Sequence, residues 1–421
     1  MAAGRGDGAG AVNGLAGLLA TVFDRRYMGA AGSDGRSIET LCKALMAARD
    51  EISGMELARR VLDRYGTLTA GARAAFFAFL ARDMEIEADA AASALAAYRA
   101  DPGPETHARL MAASEPPRQE LARRLNRVPG ATARIVSMQA DLRRAAQDDP
   151  SLRVVQADLV HLLRSWFNRG FLVLRPINWD SPASILQKII EYEAVHTIDD
   201  WDDLRRRLQP PDRRCFAFFH PAMPDEPLIF VEVALTRGIP GAIGDVLAED
   251  RKALPVEDAD TAVFYSISNC QPGLGGVSFG NLLIKQVVAD LTAELPRLRT
   301  FVTLSPVPGL AVWMDVAGLS PGDADLRALA AHFLLRVRRG DLPRDPVARF
   351  HLGNGATIHD IHADADPSEA GQAQSHGVMV NYLYDPARIG RNLEDLPKGR
   401  IAASRTVQAL ARQAPISETT Q

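Results

Sequence analysis

The spacing of apolar residues changes once along this chain, near Gly170, and that change limits the fold more than any other feature. Before it, apolar residues recur at intervals of three and four, which places them on one face of a helix. The pattern is clearest in two segments, Leu15, Leu18, Leu19, Val22 and Phe23, then Ile38, Leu41, Cys42 and Leu45. No segment of this half alternates with the period of two that is typical of a strand. We therefore predict an all-α helical bundle over residues 14–168.

After Gly170, short runs rich in Val, Ile, Phe and Tyr alternate with helical patterns. The apolar runs are residues 171–174, 215–219, 228–235, 263–267 and 301–304. The helical patterns are residues 184–193, 201–208, 279–295 and 324–338. Strands mixed with helices favour one sheet with helices packed against it. The expected fold class is α+β, with the helical bundle followed by a mixed α/β domain over residues 169–421.

Composition narrows the classes of function. The formal net charge of −4 gives no electrostatic reason to expect a nucleic-acid partner, and no apolar run is long enough to predict a membrane span. The first residues lack the pattern of a secretory or organellar presequence, and the last lack a peroxisomal Ser-Lys-Leu signal, so a cytoplasmic protein is expected. The three cysteines, Cys42, Cys215 and Cys270, lie far apart. That spacing predicts buried thiols rather than a disulfide framework or a zinc site.

A glycine-rich segment joins the strand pattern of residues 263–267 to the helical pattern that follows it. Glycines let backbone amides approach a ligand closely, and a helix N-terminus adds unpaired donors and a partial positive charge. Such a turn suits a diphosphate, and the candidate contacts are Gly273, Gly275, Gly276, Val277, Ser278, Gly280 and Asn281. The segment lacks the Gly-Lys-Ser/Thr of a P-loop and the full dinucleotide-binding pattern. A tight turn with packing glycines is the alternative interpretation.

Several motifs in a fixed order make the sequence more specific. The strand reads Phe-Tyr-Ser-Ile-Ser at residues 264–268, and the turn reads Gln-Pro-Gly-Leu-Gly-Gly-Val at residues 271–277. The other motifs are residues 193–196 (Glu-Ala-Val-His), 213–215 (Arg-Arg-Cys), 303–309 (Thr-Leu-Ser-Pro-Val-Pro-Gly), 350–356 (Phe-His-Leu-Gly-Asn-Gly-Ala) and 378–384 (Val-Met-Val-Asn-Tyr-Leu-Tyr). Together they resemble the malonyl-CoA decarboxylase family, closely over about residues 166–384. The strand, turn and helix resemble the acyl-CoA site of the GNAT acyltransferases.

The resemblance implies a helical oligomerisation domain, a GNAT-like catalytic domain and a homo-oligomer, either dimer or tetramer. It implies that malonyl-CoA is converted to acetyl-CoA and carbon dioxide without cofactor or metal. Ser305 and His351 match the catalytic serine and histidine of the family, and Tyr384 is expected to position Ser305 or the thioester. Asn381 is a weaker candidate. Some family members carry Glu where Ser278 stands, so no carboxylate role is transferred to that position.

The sequence is also compatible with other functions. A GNAT-type acyltransferase would share the acyl-CoA turn but would need an acceptor amine, and an acyl-CoA-binding scaffold would need no chemistry. A serine hydrolase is disfavoured because Ser305 lacks the G-x-S-x-G turn. The polar segment His359, His362, Asp364 and Asp366 lacks the spacing of a standard metal site. The basic candidates for the adenine and 3′-phosphate are Lys285, Arg388, Lys398 and Arg400.

Overall fold

The computed structural model describes residues 35–277, 280–322 and 325–416, without the side chains of residues 280–282. The helix predicted from Leu15 to Phe23 lies outside these ranges. The chain forms two compact units, one ending at Ala131 and the other starting at Thr132. Within the described ranges, every helix is either too short or too polar to span a lipid bilayer.

The first unit is helical throughout its described part, as the period of its apolar residues predicts. Its helices are α1 (Ile38–Ala47), α2 (Glu51–Gly66), α3 (Ala70–Arg82), α4 (Ala88–Ala100), α5 (Pro104–Ser114) and α6 (Pro117–Leu125). The side chains of Ser37, Asp50 and Thr69 accept hydrogen bonds from backbone N–H groups at the starts of α1, α2 and α3. These bonds satisfy donors that a helix leaves unpaired. An aromatic cluster of Tyr65, Phe76 and Phe77 fills the core between α2 and α3.

The second unit begins with two helices, α7 (Ala131–Asp148) and α8 (Arg153–Trp166). Val136, Leu163 and Phe167 from this segment lie in the same apolar core as the strands that follow. The division by contacts therefore falls at the first residue of α7, whereas the sequence pattern predicts a domain boundary between residues 168 and 169. The two differ because α7 and α8 have a helical period but bury their apolar faces against the sheet.

One large mixed sheet follows these two helices. Its strands are β1 (Val173–Ile177), β2 (Arg213–Phe219), β3 (Ile229–Thr236), β4 (Thr261–Asn269), β5 (Thr300–Thr303), β6 (Ser305–Pro306), β9 (Thr357–His362) and β10 (Met379–Leu383), while β7 (Arg338–Arg339) and β8 (Leu342–Pro343) form a separate pair. The order is β1-β2-β3-β4-β5-β10-β6, and β9 also pairs with β10. Only β4 and β5 run parallel among the described neighbours.

Helices cover both faces of the sheet. The helices of the second unit after α8 are α9 (Ala183–Tyr192), α10 (Trp201–Leu208), α11 (Gly244–Leu247), α12 (Gly280–Glu294), α13 (Leu310–Val316), α14 (Leu326–Arg336), α15 (Pro346–Gly353), α16 (Glu369–Ser375), α17 (Pro386–Asp395) and α18 (Arg405–Gln413). One face packs against α7, α8, α12 and α14, and the other packs against α9 and α10. The prediction of a helical part followed by a mixed α/β part is confirmed.

The pairing of β4 with β5 ends halfway along β4. It runs from Thr261 opposite Thr300 to Phe264 opposite Thr303. Beyond that point the partner of β10 changes from β5 to β6, while β4 continues to Asn269 along β3. A register shift between β3 and β4 leaves Tyr265 as an extra residue in β4, and such bulges bend a strand. The two central strands separate as a result, and a gap opens in the sheet.

The glycine-rich turn packs against α7. A Cβ atom at Gly273 would lie 1.8 Å from the carbonyl oxygen of Val136, which belongs to the backbone of that helix. At Gly275, a Cβ atom would meet the guanidinium group of Arg143. Gly276 has a positive φ of 94°, a conformation that residues with a Cβ atom rarely adopt. Close packing and backbone conformation therefore explain the three glycines without reference to a ligand.

This packing predicts that Gly273→Ala destabilises the second unit. The added methyl group would overlap the backbone of α7, and overpacking of this kind costs about 1–3 kcal/mol. Urea unfolding of the variant measures the loss. Gly390→Ala on α17 is the matched control, because no atom lies within 4 Å of its added Cβ, and that change should raise stability by about 0.5–1 kcal/mol. Equal stability of Gly273→Ala and the wild type would contradict the packing argument.

Candidate active site

Ser305, His351 and Tyr384 form a buried row of hydrogen bonds at the gap in the sheet. Ser305 Oγ lies 3.2 Å from His351 Nε2, and His351 Nδ1 lies 2.8 Å from the hydroxyl of Tyr384. The residues are only 7%, 3% and 2% exposed. Three side chains that the sequence singles out, from β6, from α15 and from the end of β10, are thus brought into contact by the fold.

Asp345 holds the helix that carries His351. Its carboxylate caps α15 by accepting the N–H of Ala348 at 2.7 Å, and its other oxygen accepts the N–H of Gly309 at 3.4 Å. Gly309 ends the motif that begins at Thr303, so Asp345 links the loop after Ser305 to the helix of His351. The imidazole is held from one side by the ring of Tyr382, with ring centroids 4.5 Å apart.

Burial makes His351 a neutral group. It lowers the pKa of the imidazole to about 3, because a charge without surrounding water is unfavourable. Burial also raises the pKa of Tyr384 well above its usual value, against the opposing effect of Asn354. At neutral pH the row therefore consists of an uncharged imidazole, a phenol and a serine hydroxyl. The imidazole can donate one hydrogen bond and accept one.

A cavity of about 240 Å³ opens on this row, in the gap beside β4. Ser305, Pro306 and His351 contribute to its lining. The remaining lining is mostly apolar: Val195, Phe264, Ile267, Pro346, Val347 and Phe350, with Tyr265 and Asn269. Drug-sized ligands usually need cavities of about 300–1,000 Å³, so this space suits the acyl end of a larger molecule.

Glu193 fixes the loop that supplies Val195 to the cavity. Its carboxylate accepts the N–H groups of Val195 and His196, both at 2.8 Å. The hydroxyls of Ser266 and Ser268 donate to the same carboxylate, so the loop is attached to β4. This explains why residues 193–196 and residues 264–268 both carry recognisable motifs. Sequence reasoning did not find this role, because the residues are about 70 positions apart.

Several backbone amides of the glycine-rich turn donate hydrogen bonds to carbonyls within the turn itself. The N–H groups of Leu274, Gly275 and Val277 donate to carbonyls of Gln271, Pro272 and Leu274. Arg143 and Arg164, from α7 and α8, donate to the carbonyls of Pro272 and Gly276. Ser278 lies outside the described residues. Gly280 begins α12 and Asn281 follows it, so both stand at a helix N-terminus.

The remaining candidate residues lie outside the row of Ser305, His351 and Tyr384, and several of them make hydrogen bonds or ion pairs with other residues. Asn381 is fully buried behind Ser305, where its amide donates to the carbonyl of Thr303 at 2.9 Å and its oxygen lies 2.6 Å from His362 Nε2. His196 is buried, and its carbonyl accepts from Arg207 of α10. Arg388 pairs with Asp385 and Arg400 pairs with Asp395, while Lys285 and Lys398 lie on α12 and after α17.

The structure also describes the three cysteines and the potential metal ligands. Cys42, Cys215 and Cys270 are buried thiols, as their spacing predicts. Over residues 35–277, 280–322 and 325–416, no three His, Cys, Asp or Glu side chains are grouped as a metal site would require. His359, His362, Asp364 and Asp366 therefore do not form one.

Sequence models of known protein families match most of the chain. The sequence model of the malonyl-CoA decarboxylase C-terminal domain matches residues 170–325 and 322–421, and that of the N-terminal domain of the same family matches residues 85–167. Mitochondrial malonyl-CoA decarboxylase of Mus musculus is 34% identical over 363 residues, and the match covers 72% of this chain and 73% of the mouse protein. Its counterpart in Anser anser anser is 35% identical over 319 residues, and the aligned region spans 63% of each protein.

Solved structures give the same result. The crystal structure of malonyl-CoA decarboxylase from Rhodopseudomonas palustris is 47% identical, covering 88% of this chain and 98% of that protein, with a TM-score of 0.83. The structure of malonyl-CoA decarboxylase from Agrobacterium vitis is 49% identical, covering 89% and 99%, with a TM-score of 0.84. The chain belongs to the malonyl-CoA decarboxylase family, a family of carboxy-lyases.

Proposed function

We propose that the chain converts malonyl-CoA to acetyl-CoA and carbon dioxide through a thioester enolate at Ser305, His351 and Tyr384, without cofactor or metal. The observation that carries this proposal is the buried row of these three side chains at the wall of the cavity. A site that joins a hydroxyl, a neutral imidazole and apolar walls fits the decarboxylation of a thioester.

The substrate supplies its own electron sink. When the bond between the α-carbon and the carboxylate breaks, its electron pair moves onto the α-carbon and into the neighbouring thioester carbonyl, which becomes an enolate. Carbon dioxide leaves, and a proton then adds to the α-carbon to give acetyl-CoA. The protein has to align the breaking bond with the carbonyl π system, stabilise the enolate oxygen and provide the proton.

The residues of the row have distinct roles in this proposal. His351, held neutral by burial, donates a hydrogen bond from its Nε2–H to the enolate oxygen. The hydroxyl of Ser305 lies beside it; in the protein without substrate it donates to Thr303 Oγ1 at 2.9 Å, and in this proposal it turns to donate to the leaving carboxylate when malonyl-CoA binds. Tyr384 contacts only the far nitrogen of the imidazole and acts by positioning the ring. Either Ser305 or His351 gives the α-carbon its proton in this proposal. Apolar walls from Phe264 and Phe350 favour loss of the carboxylate, since they solvate its concentrated charge poorly.

The turn from Gly273 to Asn281 is proposed to hold the diphosphate of CoA. Leu274, Gly275 and Val277 use their amides within the turn, so the donors assigned to the diphosphate are those of Gly276 and the first turn of α12. The residues proposed to form this diphosphate site are Gly273, Gly275, Gly276, Val277, Ser278, Gly280 and Asn281. Gly273 and Gly275 contribute to it by allowing the turn to pack tightly on α7.

One assay tests the proposed activity. The purified protein is mixed with malonyl-CoA in buffer containing EDTA and no acceptor amine, and acetyl-CoA and carbon dioxide are measured. Both products should form in equal amounts. Formation of product only after an amine is added would identify an acyltransferase instead, and binding without turnover would identify a scaffold. Inhibition by EDTA that zinc reverses would contradict the metal-free mechanism.

We expect His351→Ala to lower kcat by about 10² or more, because it removes the donor to the enolate oxygen, a change of the size usual for such groups. His107→Ala is the matched control, since His107 is exposed on α5 in the first unit. The control should keep the rate of the wild type. Activity of His351→Ala near that of the wild type would remove this residue from the mechanism.

Burial of His351 also predicts a pH dependence of stability. The folded imidazole takes up a proton only near its pKa of about 3, whereas the unfolded one does so near pH 6.5. Below about pH 6.5 the unfolded state therefore binds more protons, and the stabilisation present at neutral pH is lost as the pH falls toward 3. Between about pH 6.5 and 5, His351 alone should lower the free energy of unfolding by about 2 kcal/mol.

The check is urea unfolding of the wild type and His351→Gln on both sides of this range. The variant should lose less stability on acidification than the wild type, by the amount that His351 contributes. Parallel pH profiles for the two proteins would show that His351 titrates normally in the folded state.

We also propose that the protein works in the cytoplasm as a homo-oligomer, a dimer or tetramer, with neither membrane nor nucleic-acid partners. Exposed apolar side chains on the helical first unit, Ile52 at 79% and Met111 at 50% exposure, support assembly through that unit. The net charge of −4 argues against binding to nucleic acid. Light scattering of the purified protein measures the subunit number, and cell fractionation measures the location.

A further inference from the structure

Thr303 occupies an unusual place in the sheet, two residues before the active-site serine. It ends β5 and is fully buried. Strand β10 pairs with β5 at Leu383 and with β6 at Val380. Between these two points, the N–H of Tyr382 donates to the side-chain oxygen of Thr303 at 3.2 Å. A hydroxyl thus takes the place of a backbone carbonyl in the ladder, where the strand is interrupted.

The position of this hydroxyl is fixed from several sides. The carbonyl of Thr303 accepts a hydrogen bond from the amide of Asn381 at 2.9 Å. Asn381 is held in turn by His362 Nε2, 2.6 Å from its side-chain oxygen. Because all of these groups belong to packed strands, Thr303 Oγ1 is a rigid acceptor within reach of Ser305.

The hydrogen bond from Ser305 to Thr303 constrains the next contact in the row. The hydroxyl of Ser305 donates to Thr303 Oγ1 at 2.9 Å, and a serine hydroxyl has a single proton. In its contact of 3.2 Å with His351 Nε2, Ser305 Oγ is therefore the acceptor. A neutral imidazole carries its proton on one nitrogen only, so Nδ1 accepts from the hydroxyl of Tyr384.

We infer that Thr303 is a positioning residue that sets the tautomer of His351, acting through Ser305 so that the proton stays on Nε2. The kinetic consequence of this inference rests on the proposed function. Nε2 is the nitrogen at the Ser305 side of the imidazole, where the cavity lies. With the proton there, the ring offers a donor to the enolate oxygen. In the other tautomer it would present a lone pair to the same oxygen, and repulsion would oppose the reaction.

The first test is a spectroscopic measurement on the wild-type protein without substrate. The full-length chain is labelled with ¹⁵N-histidine, and the signals of His351 are assigned by their loss in His351→Gln. The expected spectrum has a protonated Nε2 and an unprotonated Nδ1. A protonated Nδ1 would overturn the inference. Because no malonyl-CoA is used, this result is independent of whether the protein decarboxylates it.

The second test compares Thr303→Val with Thr303→Ser. The valine removes the acceptor at nearly constant volume, and kcat should fall by about tenfold or more with KM for malonyl-CoA within about twofold, since a misplaced proton affects the reaction and not binding. The spectrum of this variant should show a protonated Nδ1. Thr303→Ser keeps the acceptor and should restore most of the rate and the spectrum of the wild type.

Thr300→Val is the matched control, because it makes the same change at the other end of β5, and its rate should equal that of the wild type. An undiminished kcat for Thr303→Val would overturn the inference. Equal losses for Thr303→Ser and Thr303→Val would also do so, since they would assign Thr303 to packing alone. If the valine variant does not fold, the spectrum of the wild type decides the question.

Discussion

The parallel pairing of β4 with β5 stops at Phe264 and Thr303, and the active site depends on this interruption. A continuous ladder would have filled the centre of the sheet with backbone hydrogen bonds and left no cavity. The extra residue Tyr265 bends β4 on one side, and β10 bridges the gap on the other. Backbone groups that lose their regular partners find new ones in side chains, of which Thr303 is the clearest case. The same interruption therefore creates both the cavity and the row of polar groups on its wall.

Burial gives these groups their chemical character. His351 lies in water-poor surroundings, which lower its pKa to about 3, and the phenol of Tyr384 remains protonated for the same reason. The hydrogen bonds in a row of uncharged groups run in a defined direction, because each proton joins only one donor to one acceptor. The carboxylate of Asp345 lies at the N-terminus of α15, where it accepts a hydrogen bond from the N–H of Ala348. In the proposed reaction, the reacting part of the substrate would thus meet fixed dipoles instead of mobile charges.

The glycine-rich turn shows how one local pattern can serve two purposes. Its sequence suggests an anion site, and its position before α12 agrees with that interpretation. Gly273 is nevertheless required by the backbone of α7, which passes within contact distance, and Arg143 and Arg164 hold the carbonyls of the same turn. Helices α7 and α8 carry the helical period of the first half of the sequence, yet they support the catalytic sheet. This is why the division by contacts falls at residue 131 rather than at the change of period.

The sequence by itself determined that a helical part is followed by a part that mixes strands and helices, because periodicity is a local property of the chain. With the family's motifs, it also named Ser305, His351 and Tyr384 as residues that share a site. It did not reveal the roles of Glu193, Asp345 or Thr303, because these roles come from contacts with residues that are distant in the sequence or that face them only after strands pair. The tertiary structure alone decided where β4 and β5 separate, which residues are buried and which way the hydrogen bonds run. These properties depend on packing between elements, and no local pattern of residues encodes them.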